Sequence, residues 1–228
     1  MHVRGQTNEG IMFMVIALLS CPFFSLKVHG RSRLQRYQRT ANWEYICEVS
    51  KSQSSEIPKI PIIGNGDIYS YTDYEEKIEK MGKDGILSQT AMLGRGALVK
   101  PWLPTEIKER RHWDITASER LDILKDFVKF GLEHWGSDQQ GVDNTRRFLL
   151  EWLSFLYRYV PVGLLEVIPQ QMNHRPPNHM MGRNDLETLF LSDHCADWIA
   201  ISEMLLGPVP EGFRFEPKHK ARGYVEEQ

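Results

Sequence analysis

Two short glycine turns have the residue types and spacing that suit phosphate chemistry. Gly64-Asn65-Gly66-Asp67 and Gly94-Arg95-Gly96 each follow an apolar run and precede a stretch of helical character. Glycine lets backbone N–H groups approach phosphate oxygens, and a helix start adds the positive end of its dipole. In a (β/α)8 barrel the loops after the last two strands commonly form such a site. The pair, one βα unit apart, predicts one phosphate cradle, although either turn alone is equally typical of plain chain reversal.

A histidine and several arginines stand where an earlier predicted strand ends, in His29-Gly30-Arg31-Ser32-Arg33. At the carboxyl edge of a parallel sheet such residues can bind an anionic cofactor, polarise a ring carbonyl or hold a phosphodiester. Taken alone, these five residues favour a solvated basic loop over such a site.

The elements that must position these turns alternate between strand and helix. Strands are predicted at residues 25–28 and 59–63, with a helix over 43–49 between them. A further helix is predicted to begin at Thr72 or Asp73 and to end near Met81. This order is typical of a parallel α/β sheet.

Long amphipathic helices replace the strands after Pro101. The capping box Thr116-Ala117-Ser118-Glu119 starts the first, which is predicted to end at Gly136. A second helix is predicted over residues 143–159, with Phe148 facing inward, and a third over residues 184–206. The pattern therefore predicts an α/β part and an all-α part, with a boundary near residues 105–115.

Composition excludes several classes of protein. The chain has 228 residues and a net charge of −2, which argues against a protein that grips nucleic acid with its whole surface and leaves room for local basic patches. Cys21, Cys47 and Cys195 are far apart, and the histidines lack ligand spacing, so neither a disulfide framework nor a metal site is predicted.

The apolar run at residues 11–24 is too short to cross a bilayer. A buried segment is the favoured interpretation of it, with a signal peptide of a secreted protein as the alternative.

The order of HGRSR, GNGD and GRGAL resembles that of the tRNA-dihydrouridine synthases, flavin enzymes with an N-terminal (β/α)8 barrel and a C-terminal helical domain. The likeness covers about residues 27–221. Its longer stretches, such as KPWL at 100–103 and ISEMLLGPVP at 201–210, are similar to the eukaryotic branch that reduces a uridine in the tRNA variable loop. The resemblance implies the C-terminal part of a TIM barrel at 27–110, a helical bundle domain that binds tRNA at 111–209 and a polar tail at 210–228. Residues 1–26 are expected to form an apolar segment outside the likeness.

The same resemblance implies an activity, namely FMN-dependent reduction of uridine to dihydrouridine in tRNA with NADPH as reductant. It makes His29 a contact to the flavin and uracil region. It assigns the ribityl chain and phosphate to Asn65, Gly66 and Asp67, and the closing contacts on the phosphate to Gly94 and Arg95. A monomer is expected, in the cytoplasm and with the nucleus as a second location, and without membrane attachment. The residues expected to bind tRNA are Arg31, Arg33, Arg146, Arg147, Arg158, Lys218 and Lys220.

Two departures from the family pattern qualify that activity. The family's general-acid cysteine has no match, because Cys21-Pro22 lacks the preceding glycine and lies close to His29, so no catalytic residue is assigned. Residues 86–93 are longer than the corresponding strand, which is expected to displace Arg95 from the phosphate. A non-catalytic RNA-binding or scaffold fragment that keeps only the helical domain is therefore the alternative function.

Overall fold

The structure, a computed structural model, describes residues 2–3, 25–32, 34–35, 39–51, 60–82 and 90–218. Residues 11–24 with Cys21, the long stretch at 83–89, Arg33 and Lys220 lie outside the described residues. The chain forms two compact units. The sheet unit comprises Met1–Ala97 and Pro101–His112, and the helical unit comprises Leu98–Lys100 and Trp113–Gln228.

The sheet unit contains a parallel sheet, as predicted. Its four strands lie in the order of the chain: β1 (His2–Val3), β2 (Leu26–His29), β3 (Ile62–Asn65) and β4 (Thr90–Met92). Strand β3 reaches Asn65, two residues further than predicted, so Asn65 is the last residue of a strand and not part of the turn.

The core of the sheet unit forms between the strands and helix α1 (Trp43–Lys51). Leu26, Val28 and Ile62 are buried in it, and Trp43 of α1 packs against them. Gly64 makes this packing possible, because a Cβ at that position would lie 2.5 Å from the Trp43 ring.

Three more helices complete this part of the chain: α2 (Tyr71–Gly82), the short α3 (Arg95–Val99) and α4 (Leu103–Glu109). The cap of α2 differs from the prediction of Thr72 or Asp73. The Ser70 hydroxyl oxygen accepts a hydrogen bond from the Asp73 N–H at 3.0 Å, so the helix begins earlier.

The helical unit begins with α5 (Ala117–Trp135), whose predicted capping box is confirmed. The Thr116 side chain accepts a hydrogen bond from the Glu119 N–H at 3.2 Å, and the Glu119 carboxylate accepts one from the Thr116 N–H at 2.8 Å. Helix α6 (Gln139–Leu156) begins before its predicted start because Asp138 caps it, and it ends before its predicted end at Tyr159.

The third predicted helix is two helices, α7 (Asp185–Leu191) and α8 (Cys195–Leu206). The backbone is extended at Ser192 and His194, and the Ser192 carbonyl accepts a hydrogen bond from the indole N–H of Trp198 at 2.9 Å. This contact holds the break in place.

Side chains from helices α5, α6, α7 and α8 form the buried core of the helical unit. The prediction that Phe148 faces inward is wrong, since its ring is 49% exposed and stacks on Trp135 at 4.9 Å. The core includes Leu124, Leu149, Leu153, Phe190, Trp198 and Ile201.

None of the helices among the described residues could cross a membrane.

Candidate cofactor site at the carboxyl edge of the sheet

The three sequence motifs meet at one edge of the parallel sheet. His29, the last residue of β2, lies opposite Asn65 at the end of β3, and Asn65 lies opposite Met92 at the end of β4. Because the strands are parallel and in register, the turns that follow them are neighbours. This is the edge at which parallel α/β folds bind ligands.

Backbone contacts fix the first two turns. The Gly30 N–H donates to the Asn65 carbonyl at 3.0 Å, and the Trp43 indole N–H donates to the Gly66 carbonyl at 2.8 Å. Gly66 has a φ of +135°, and a Cβ there would lie 2.4 Å from the Ala41 Cβ. Only glycine is compatible with both that conformation and that approach.

Asp67 is the centre of the side-chain contacts at this edge. One Arg31 nitrogen donates to both of its carboxylate oxygens, at 2.8 and 2.7 Å. Arg95 donates to Oδ1 at 3.0 Å, and the backbone N–H of Ala41 donates to Oδ2 at 2.7 Å. One carboxylate therefore joins the turns after β2, β3 and β4.

The environment of Asp67 favours its charged form. Burial by itself raises the pKa, but the hydrogen bonds from Arg31 and Ala41 and the charges of Arg31 and Arg95 outweigh it, so the pKa of Asp67 lies below its usual value. An ionised carboxylate repels a phosphate. The assignment of the Asn65-Gly66-Asp67 turn to the ribityl chain and phosphate stays a prediction, and within that turn the Asp67 side chain binds guanidinium groups.

Arg31 also differs from expectation. It was predicted to bind RNA, but its side chain is only 4% exposed and donates to the Arg39 carbonyl as well as to Asp67. Arg31 is therefore a structural residue of the site, because its buried guanidinium binds other protein groups.

Asn65, Arg95 and His29 each contact protein groups at the edge. The Asn65 amide donates to the Met92 carbonyl at 2.7 Å, which links the ends of β3 and β4, while Arg95 points to Asp67. The His29 Nδ1 atom accepts a hydrogen bond from the Arg31 N–H at 3.1 Å, so a neutral His29 carries its proton on Nε2.

Gly94 has the most open surroundings of the motif glycines. Among the described residues other than its chain neighbours, no heavy atom lies within 4 Å of a Cβ built on Gly94, whereas one on Gly96 would lie 2.3 Å from the Ile68 carbonyl oxygen. A ligand group can therefore approach the backbone at Gly94. Helix α3, which starts at Arg95, has only five residues, so its dipole adds little here.

The family follows from comparison with known proteins. A model of the dihydrouridine synthase (Dus) family matches residues 11–149. The chain belongs to the dihydrouridine synthase family. The match begins at residue 11, whereas residues 1–26 were expected to lie outside the likeness. The apolar run at residues 11–24 contains no polar motif, so the sequence motifs alone do not reveal that it belongs to the matched region.

Relatives from plants, animals and fungi are similar over most of this chain. It is 57% identical over 200 residues to a protein of Arabidopsis thaliana and 61% identical over 197 residues to one of Homo sapiens, both named tRNA-dihydrouridine(47) synthase [NAD(P)(+)]-like. A Cryptococcus neoformans tRNA-dihydrouridine(47) synthase [NAD(P)(+)] is 54% identical over 209 residues. These alignments cover 88%, 86% and 90% of this chain but only 28%, 29% and 28% of the relatives.

The basic residues expected to bind tRNA in this dihydrouridine synthase family member are of two kinds. Arg146 is only 3% exposed and donates to the Ser202 hydroxyl at 2.9 Å and to the Gly207 carbonyl at 2.8 Å. The prediction of an RNA contact at Arg146 is corrected, because its guanidinium is used inside the helical unit. Arg147 and Lys218 are exposed, and Arg158 is half-buried.

Sequence reasoning missed Lys77 of α2. Its ammonium group donates to the Asp67 carbonyl and lies 5.8 Å from the centre of the Trp43 ring. The spacing of a lysine on a predicted helix face gives no sign of this contact, since solvated lysines have the same spacing.

Proposed function

We propose that this protein acts as a tRNA-dihydrouridine synthase that uses FMN and NADPH to reduce uridine to dihydrouridine. The observation that carries the proposal is the meeting of the HGR, GNGD and GRG turns at one sheet edge, joined by Asp67. The chain spans less than a third of the length of its relatives, so their activity comes to it as a proposal.

On this proposal the sheet unit is the C-terminal part of a TIM barrel and the helical unit is a tRNA-binding helical bundle domain. The parallel sheet and its ligand-binding edge support the first assignment. A separate buried core in the helical unit supports the second.

The residues present fit an FMN phosphate. Two guanidinium groups face one carboxylate at the edge, which leaves a net positive charge, and the backbone at Gly94 is open to approach. Gly94 and Arg95 would hold the phosphate, and the Asn65-Gly66 backbone would hold the ribityl chain. His29 would contact the flavin and uracil region. Bound FMN supplies hydride transfer from NADPH to the uracil ring.

Two exposed cations and one half-buried cation of the helical unit would bind the tRNA backbone. Arg147, Arg158 and Lys218 can reach phosphates, and recognition of a folded RNA relies largely on shape and backbone contacts. We propose the cytoplasm as the location and a monomer as the state.

Titration of the purified full chain with FMN tests the cofactor site. Arg95→Ala is expected to weaken FMN binding about tenfold or more, because a charge-assisted hydrogen bond to phosphate is lost. Arg110→Ala is the matched control, since Arg110 belongs to the same unit, is 73% exposed and pairs with Glu75. Equal affinity of the unaltered chain and Arg95→Ala would contradict the assignment.

A second measurement separates the enzyme from the RNA-binding fragment. Dihydrouridine formed in unmodified tRNA with NADPH and FMN is measured by mass spectrometry, and tRNA binding by gel shift. Dihydrouridine formation supports the proposed enzyme. A colourless protein that shifts tRNA without forming dihydrouridine supports the non-catalytic alternative.

A further inference from the structure

The helical unit contains a cavity of about 390 Å³ that the proposed flavin chemistry does not use. Three segments line it: Tyr157 at the end of α6, the loop at residues 176–181, and residues 188–197 around the break between α7 and α8. Its volume is within the range of small-molecule sites.

Apolar groups form much of the cavity wall. Pro176 and Pro177 offer flat rings, and Met180 offers a flexible thioether that adapts to a planar ligand. The imidazoles of His179 and His194 are also in the lining. Such surfaces suit the faces of an unstacked base, which proteins hold between aromatic and apolar side chains.

Two carboxylates supply hydrogen-bond acceptors. The Asp197 carboxylate accepts a hydrogen bond from the Ser192 hydroxyl, which fixes its position at the start of α8. Asp193, in the break itself, has a side chain that is 28% exposed. The cavity therefore favours a ligand edge that donates hydrogen bonds.

Tyr157 at the end of α6 is a buried part of the cavity lining, since it is only 4% exposed.

Two arginines are adjacent in sequence to the cavity lining. Arg158 follows Tyr157, and its guanidinium lies 5.3 Å from the centre of the Phe155 ring; Arg175 precedes Pro176. Both arginines belong to chain segments that line the cavity, and a nucleotide whose base enters the cavity would need such a cation for its phosphate.

From this arrangement we propose that the cavity binds one unpaired base of an RNA, with preference for guanine. Guanine presents two adjacent donors, N1–H and the N2 amine, which match the two oxygens of one carboxylate. Adenine and cytosine present one amine, and uracil presents a single N–H between two carbonyls that a carboxylate repels. The inference deepens the proposed function, since it rests on RNA being the partner of the helical unit.

The test measures the equilibrium binding of GMP, AMP, CMP and UMP to the full chain by calorimetry. GMP is expected to bind about tenfold more tightly than UMP, with AMP and CMP between them. Asp193→Asn is expected to remove most of the preference for GMP over UMP. Asp185→Asn is the matched control, because Asp185 is an exposed acidic residue of α7 outside the cavity lining, and it should keep the preference.

Several outcomes would overturn the proposal. No binding of any nucleotide, equal affinity for all four, or tighter binding of an arginine-rich peptide in the same cavity would each refute a guanine site. The ranking of the four nucleotides by the unaltered chain decides the matter even if Asp193→Asn does not fold. FMN binding, measured on the same preparations, reports on the flavin site separately, so its failure is distinguishable from failure of the base site.

Discussion

Arg31 and Asp67 form a two-point contact in which one guanidinium nitrogen donates to both carboxylate oxygens, at 2.8 and 2.7 Å. The two residues are 36 positions apart, so the pair fastens the turn after β2 to the turn after β3. Arg95 brings the turn after β4 to the same carboxylate. Asp67 thus positions the cationic groups that the proposed FMN site needs.

Replacement of Asp67 by asparagine is expected to destabilise the chain by about 3 kcal/mol, because it leaves the largely buried Arg31 guanidinium without a charged partner. Chemical denaturation followed by circular dichroism measures the change. Glu76→Gln is the control, since Glu76 and Lys80 form an exposed pair on α2 whose loss should have no measurable effect. Equal stability of Asp67→Asn and the unaltered chain would contradict the positioning role.

The same pair predicts a dependence of stability on pH. Burial raises the pKa of Asp67, but the hydrogen bonds from Arg31 and Ala41 and the charges of Arg31 and Arg95 lower it by more. The pKa of Asp67 in the folded chain is therefore below its value in the unfolded chain. Its ionised form therefore contributes stability above the unfolded pKa, and this contribution is lost as pH falls through the folded pKa. The difference in unfolding free energy between the unaltered chain and Asp67→Asn should be constant above about pH 5 and shrink below about pH 4. A difference that grows on acidification would contradict this.

Local patterns were enough to predict elements but not side-chain partners. The Thr116 capping box and the apolar run at Ile62 and Ile63 act through near neighbours, and both were identified from sequence. The Arg31–Asp67 contact depends on the register of β2 against β3, which no local pattern determines. The sequence therefore predicts a tRNA contact for Arg31 and a place in the ribityl and phosphate turn for Asp67, and it gives no sign that the two side chains bind each other.

Two features of the helical unit differ from the prediction, and only the burial of Arg146 could have been read from the sequence. Arg146 lies one helical turn before Leu149 and Leu150, which are fully buried, so its spacing could have shown that it faces the core. The break between α7 and α8 carries no glycine or proline, and the apolar period continues across it. Local contacts of Ser192 accompany the break: its carbonyl accepts from the Trp198 indole, and its hydroxyl bonds to the Asp197 carboxylate and accepts from the His194 N–H.

The two glycines Gly64 and Gly94 are predicted to respond differently to alanine. Gly64→Ala should cost about 1–3 kcal/mol of stability because the new Cβ meets the Trp43 ring. Gly94→Ala should leave the melting temperature unchanged, since no described residue beyond its chain neighbours lies within 4 Å of the new Cβ, but should weaken FMN binding by blocking approach to the backbone. Thermal denaturation and FMN titration measure the two effects. Unchanged FMN affinity in Gly94→Ala would remove Gly94 from the proposed site.

The neighbours Arg146 and Arg147 provide the last prediction and serve as controls for each other. Arg146→Ala should lower stability by about 1–3 kcal/mol, because its guanidinium donates to the Ser202 hydroxyl and to the Leu206 and Gly207 carbonyls at the end of α8. Arg147→Ala should leave stability unchanged, since Arg147 is exposed.

The effects on tRNA binding should be reversed between these two variants. Arg147→Ala should weaken tRNA binding and reduce the dependence of affinity on salt by about one phosphate contact. Gel shifts across a series of salt concentrations, beside denaturation curves for both variants, measure these changes. If Arg146→Ala folds as stably as the unaltered chain and loses tRNA affinity while Arg147→Ala does not, the assignment of Arg146 to the core and Arg147 to the RNA surface is wrong.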